Sequence, residues 1–157
     1  MNDEYFMRKA LKEAEKGMMN KDGGPFGCVI VKDGKIITKA HNTVLKNNNP
    51  TQHAEINAIS KASKKLKNQD LNGCILYSSV EPCPMCLSAI HWAKIGKVVY
   101  GATIDDSNNI SGFNEIHLSD KDFNKIANLN ITLIPGILKD DAKELLKRFK
   151  SLGIKTY

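Results

Sequence analysis

Apolar and polar positions divide the chain into short helical and strand-like stretches. Over residues 3–18, Phe6, Met7, Ala10, Leu11 and Ala14 recur at helical spacing, with Asn2 or Asp3 available as a cap. Phe26–Lys32 and Lys35–Ala40 are apolar runs joined by Asp33-Gly34, a pair that strongly favours a tight hairpin. Pro50-Thr51 precedes a helix from about Ala54 to Lys65, with Ile56 and Ile59 three apart. Cys74–Ser79 reads as a buried strand. Pro84 then opens a helix to about Lys94, at the first helical position, where its missing N–H costs nothing. Lys97–Ala102 reads as a strand, 103–118 as a loop, 119–128 as a short helix and Ile131–Ile134 as a strand ended by Pro135-Gly136. A last amphipathic helix, about 140–152, carries Ala142, Leu145, Leu146, Phe149 and Leu152 on one face.

This order predicts a three-layer α/β/α unit around a mixed five-stranded sheet, because strands separated by helices prefer parallel pairing with right-handed crossovers. The hairpin is expected to supply the one antiparallel pairing. With 157 residues and no repeat or low-complexity linker, one domain spanning 1–157 is expected. A hydrophobic share of 41% excludes a disordered, collagen-like or coiled-coil composition. No apolar run approaches the ~20 residues that span a bilayer. The opening MNDEYFMRKALKEAEKG lacks the basic start and apolar stretch of a secretory signal, so a cytoplasmic protein is expected. The net charge of +6 invites a nucleic-acid reading, yet only Arg8 and Arg148 of the 23 basic residues are arginines. The lysines are scattered, as on solvated helix faces, and charge alone does not identify the substrate.

The cysteines change the picture. Cys28 and Cys74 lie in apolar runs and read as core residues. Cys83 and Cys86, three apart at the start of a helix, can aim both sulfurs from one face of its first turn. His53, 30 residues earlier and also at a helix start, can supply a third donor. Three donors of mixed N and S type leave the fourth position of a tetrahedral zinc open, which is the catalytic arrangement; a structural zinc would want a fourth Cys or His. Helix N-termini favour thiolate over thiol. Glu55, two residues beyond His53, can approach an activated water without being a ligand and pass its proton to a substrate nitrogen. A redox dithiol is the competing reading, but it would leave His53 and Glu55 without a role.

His53-Ala54-Glu55 followed by Pro82-Cys83-Pro84-Met85-Cys86 resembles the signature of the zinc-dependent nucleobase deaminases, and most of the chain is similar to the cytidine-deaminase superfamily. Within it, Gly23-Gly24-Pro25-Phe26-Gly27, Asn42, Pro50-Thr51, Ala89-Ile90, Trp92-Ala93, Gly112-Phe113 and the closing Tyr157 resemble the small bacterial guanine deaminases. The resemblance implies a cytidine-deaminase-like fold, a bound Zn²⁺, a small nucleobase as substrate, and hydrolysis of guanine to xanthine and ammonia. It also implies a homodimer whose C-terminal segment, about 140–157, contributes to an active site, its own or the neighbour's.

Two related readings stay open: a tRNA adenosine deaminase and a cytosine or cytidine deaminase. Pro50-Thr51 with His53-Ala54-Glu55-Ile56, and Pro135-Gly136-Ile137-Leu138, look similar to the tRNA branch. That branch normally has an aliphatic residue where this chain has Phe26, lacks a tryptophan like Trp92, and continues into a basic tail. A zinc-binding scaffold without activity is the alternative of a different class, and Glu55 speaks against it.

Candidate substrate contacts are Phe26, Asn42, Ala54, Trp92, Asn114 and Tyr157. Phe26 offers a flat face for a base or a core strand side chain, Asn42 a base-edge contact or a turn amide, and Trp92 a pocket wall or core. In the guanine-deaminase pattern an acidic residue follows Gly-Phe; here Asn114 stands there, with Glu115 next. Either Glu115 serves through a one-residue shift, or the preferred base differs.

Overall fold

In the computed structural model, which describes residues 2–157, the first helix starts where its cap predicts: the Asn2 side chain accepts the Tyr5 N–H at 3.0 Å. That helix, α1 (Asp3–Met19), buries Phe6, Met7, Ala10, Leu11 and Ala14. Strands β1 (Gly27–Lys32) and β2 (Lys35–His41) meet at Asp33-Gly34, whose φ values of 49° and 72° are both positive, as a two-residue turn of matching twist requires. A one-turn helix, α2 (Val44–Asn47), which the sequence pattern does not anticipate, leads to α3 (Ala54–Leu66). Next come β3 (Cys74–Val80), α4 (Pro84–Trp92) and β4 (Lys97–Ala102). The chain ends with α5 (Ile104–Ser111), α6 (Asp120–Ile126), β5 (Thr132–Ile134) and α7 (Lys139–Ser151).

The sheet order is β2-β1-β3-β4-β5, with β3, β4 and β5 parallel. One expectation is corrected: β1 pairs antiparallel with both β2 and β3, so the hairpin does not supply the one antiparallel pairing. After the hairpin, α3 returns the chain to the far side of β1 rather than of β2, and β3 runs against β1. A second correction concerns 103–118. Thr103 caps α5 with a reciprocal Thr103–Asp106 capping box, a signal outweighed in the sequence by the polar composition of the segment.

Helices cover both faces of the sheet. Ala54, Ala58 and Ala62 of α3 and Leu87 and Ile90 of α4 pack on Cys28, Ile30, Cys74 and Leu76. On the opposite face, α1 and α7 bring Met7, Leu11 and Leu146 against Val29, Val31, Tyr77 and Val99. Cys28 and Cys74 are core residues, as read from the sequence. Gly27 is where α1 crosses β1 most closely: a side chain there would meet the Ala10 carbonyl at 2.1 Å. No described helix is long and apolar enough to cross a membrane.

Candidate metal centre and the cavity beside it

Two helix starts converge at the end of the sheet. His53 is the N-cap of α3 and Cys83 the N-cap of α4, both with extended backbones, and neither side chain caps its own helix. Each side chain is therefore released toward the gap between the helices. Cys86, one turn into α4, joins them. The Nδ1 of His53 lies 3.7 Å from Cys83 Sγ and 3.6 Å from Cys86 Sγ, and the three donor atoms all fall within 4.8 Å of one another. Tetrahedral zinc with Zn–S near ~2.3 Å and Zn–N near ~2.0–2.1 Å requires N···S separations of about 3.6 Å. The donor set fits the ion in both chemistry and spacing.

Charge around the donors follows from their crowding. The hydrogen bond from Cys86, helped by His53, outweighs burial and pulls the Cys83 thiol down to about 4, while Cys86 is pushed well up. Crowding of the two sulfurs favours the thiolate at one of them, and a divalent cation at the three donors would favour it at both. Glu55, on the first turn of α3, is buried, and burial pushes its carboxyl up. Its Oε1 accepts the Ser78 hydroxyl at 2.9 Å, and its Oε2 lies 3.5 Å from Cys86 Sγ. It stands beside the metal donors without competing with them.

A cavity of about 240 Å³ opens against this centre, below the ~300–1,000 Å³ of drug-sized sites. Phe26 and Phe113 meet edge to face at 5.0 Å, and Phe113 also contacts Phe149 at 5.3 Å and Tyr157 at 5.1 Å. Pro50, Met85 and Ile116 complete the apolar lining, and none of the described residues lining the cavity is Lys or Arg. Tyr157 closes one side: its hydroxyl accepts the Gly24 N–H at 3.2 Å. Burial pushes that phenol up, and the Asn42 side chain is a further partner of the hydroxyl.

Glu115 lines both this cavity and a narrower cleft that it shares with His53, Glu55 and Cys83. Asn108 on α5 fixes it: Oδ1 accepts the Glu115 N–H at 2.8 Å, and Nδ2 donates to the Glu115 carbonyl at 3.3 Å. Burial, with the Cys83 and Glu55 charges, pushes the Glu115 carboxyl up to about 8. A divalent cation at the three donors would pull it back down.

Of the residues singled out in the sequence, His53, Glu55, Cys83 and Cys86 come together, and Phe26, Asn114 and Tyr157 line the cavity. Asn114 is exposed at the mouth while Glu115 lies inside. Asn42 is buried behind the wall, its Oδ1 accepting the Val44 N–H at 3.0 Å. Ala54 packs into the core beneath α3. Trp92 is 82% exposed at the last position of α4 and is not among the residues lining this cavity. Sequence reasoning missed Ser78, Asn108 and Met85. Ser78 had one signal, a polar position on the apolar face of a strand.

Comparison with known proteins matches residues 1–102 to the cytidine and deoxycytidylate deaminase zinc-binding region. The guanine deaminase of Bacillus subtilis is 51% identical over 107 residues, 68% of this chain and 69% of that protein. The solved structure of a guanine deaminase from Nitrosomonas europaea superposes with a TM-score of 0.85 at 31% identity, covering 94% of this chain and 84% of that one. A tRNA-specific adenosine deaminase of Streptococcus pyogenes is 37% identical over 149 residues, 95% of this chain and 84% of that protein.

Proposed function

The chain belongs to the cytidine and deoxycytidylate deaminase zinc-binding family, and we propose that within it this zinc-dependent deaminase acts on a free purine base, hydrolysing guanine to xanthine and ammonia. The observation that carries this reading is Glu115, a carboxylate that lines both a small aromatic-walled cavity and the cleft beside the metal donors. Guanine presents N–H donors along the edge that carries its amino group, and a half-buried carboxylate is the acceptor such an edge needs. Phe26 and Phe113 supply flat apolar faces for the ring.

His53, Cys83 and Cys86 would hold the zinc. When bound, the metal supplies a water whose pKa lies far below that of bulk water. Glu55 is the residue that would move protons, carrying one to the ring nitrogen next to the amino-bearing carbon and a second to the departing amine. Burial pushes its carboxyl up, which favours holding and returning a proton. Tyr157 and the aromatic cluster exclude bulk water from the ring.

Similarity over nearly the full chain supports a second reading, tRNA adenosine deamination. An RNA substrate is held by Lys and Arg contacts to phosphates, and its binding weakens steeply with salt. The cavity lining carries no such residue among those described, and Tyr157 narrows the path that a base tethered to ribose would take. Ammonia release from guanine, guanosine, adenine, cytosine, cytidine and an anticodon stem-loop, at low and moderate salt, tests both readings. Guanine is expected to turn over fastest with little salt dependence. Faster, salt-sensitive turnover of the RNA would overturn the free-base reading and leave the zinc chemistry standing.

A further inference from the structure

Ser78 is a polar group that neither the metal donors nor the cavity wall accounts for. It lies in the middle of β3, paired on one side with Cys28 of β1 and on the other with Tyr100 of β4. A backbone held by a neighbour strand on each side is the least mobile mount the fold offers. Two and four residues earlier on the same face, Leu76 and Cys74 pack into the apolar core beneath α3 and α4. A hydroxyl at that register position is costly unless it is hydrogen-bonded. Its partner is Glu55: Ser78 Oγ donates to Oε1 at 2.9 Å, with Ser78 2% and Glu55 6% exposed.

The two carboxylate oxygens of Glu55 are thereby made unequal. Oε1 is turned toward the sheet and held there, whereas Oε2 is the oxygen on the side of the metal donors, 3.5 Å from Cys86 Sγ. A glutamate side chain has three rotatable bonds, and a free one would sample several orientations at rotamer cost alone. We propose that Ser78 is a positioning residue for the deamination: its hydroxyl ties Oε1 to the rigid sheet so that Oε2 is presented to the reacting atoms. This rests on Glu55 being the proton carrier. The contact reaches from β3 to the first turn of α3, the rest of which packs mainly over β1 and β2.

The test is a cycle of Ser78→Ala, Ser78→Thr, Glu55→Gln and Ser78→Ala with Glu55→Gln, in the zinc-loaded full chain. Steady-state kcat and KM are read from ammonia release with guanine, adenine and cytosine, zinc per chain by elemental analysis, and the Glu55 orientation from a crystal structure of Ser78→Ala. Misplacing a catalytic group by about 1 Å costs up to ~10²-fold, so Ser78→Ala is expected to lower kcat about 10–100-fold while KM and zinc content stay near wild type. Its crystal structure is expected to show the Glu55 carboxylate turned away from the wild-type orientation. Ser78→Thr keeps the hydroxyl and is expected to restore kcat. In the Glu55→Gln background, Ser78→Ala is expected to add no further loss, since its effect passes through that carboxylate. Near-normal kcat in Ser78→Ala, loss of zinc together with kcat, or a loss that multiplies in the Glu55→Gln background would overturn the proposal. Retained turnover in Glu55→Gln itself would instead remove the proton-carrier reading on which it rests.

Discussion

The two halves of the site are built differently. The metal half, His53, Glu55, Cys83 and Cys86, comes from the starts of two helices: His53 and Glu55 lie two residues apart on α3, and Cys83 and Cys86 three apart on α4. The cavity half, Phe26, Phe113, Asn114, Glu115 and Tyr157, is drawn from the β1 approach, the loop after α5 and the last residue of the chain. Geometry in the first is set by helix pitch and an intact sheet. In the second it is set by a small satellite core of Met18, Phe113 and Phe149, with Phe26 and Ile154 against it. The difference teaches a division of labour. Reaction type is held by short-range geometry that few substitutions can alter without loss of the metal. On the proposed reading, choice of base would lie with the long-range contacts of the cavity half. The seam between the halves is a buried acid pair: Glu81, two residues before Cys83, accepts the Asp120 N–H at 2.7 Å and the Ile104 N–H at 2.9 Å.

The largest expected effect lies in the metal half. Glu55→Gln is expected to keep about one zinc per chain and the wild-type fold while lowering kcat by ~10²–10⁴-fold or more, since one general acid–base group contributes that much and this one serves more than one transfer. Elemental analysis beside steady-state kinetics reads both quantities. Loss of zinc in this variant would show that the carboxylate also holds the ion, and the separation of donor from proton carrier would fall.

A smaller effect, and a different one, is expected in the cavity half. Glu115→Gln removes a charged acceptor and should raise KM for guanine about 10-fold or more, with a lesser change in kcat, because a hydrogen bond to a charged group is worth ~1.5–3 kcal/mol. Asn114→Asp, at the exposed mouth, should leave kcat/KM within about twofold. If Asn114→Asp raised kcat/KM strongly and Glu115→Gln left it unchanged, the mouth residue would be the one reading the base.

The smallest expected effect lies on the seam. Burial and the adjacent Glu81 push Asp120 up to about 7, and its Oδ2 has no hydrogen-bond partner among the described residues. Unfolded, an aspartate ionises near ~3.9, so between that value and about 7 the unfolded chain has released a proton that the folded chain still holds. Stability from the protonated pair is therefore full below ~3.9 and lost as pH rises through about 7. Asp120→Asn removes the ionisation, and its Tm is expected to exceed wild type by about 2–4 °C at pH 8, with no gain at pH 4. Calorimetry across that range reads it. An equal gain at both pH values would mean that packing rather than charge is responsible.

What the sequence determined by itself is what depends on neighbours along the chain. Helical spacing, the Asp33-Gly34 turn, the Asn2 cap and the proline opening α4 each act within a few residues, and the structure follows them. The donor set was legible for the same reason, since an i, i+3 cysteine pair and a His-x-Glu are local patterns whose chemistry is restrictive. Only the tertiary structure decided which strand β1 pairs with on its second edge, because strand order is fixed by crossovers and packing rather than by any one segment. It also decided that Glu115 rather than Asn114 enters the cleft, through an Asn108 clamp seven residues upstream on a helix that the polar composition had hidden. Trp92 and Asn42 show the same limit from the other side: each had a plausible local role, and burial sent one outward and the other behind the wall. Ser78 is the sharpest instance. Its hydroxyl means little until the first turn of α3 is brought up to β3, because residues 78 and 55 meet only through that long-range approach.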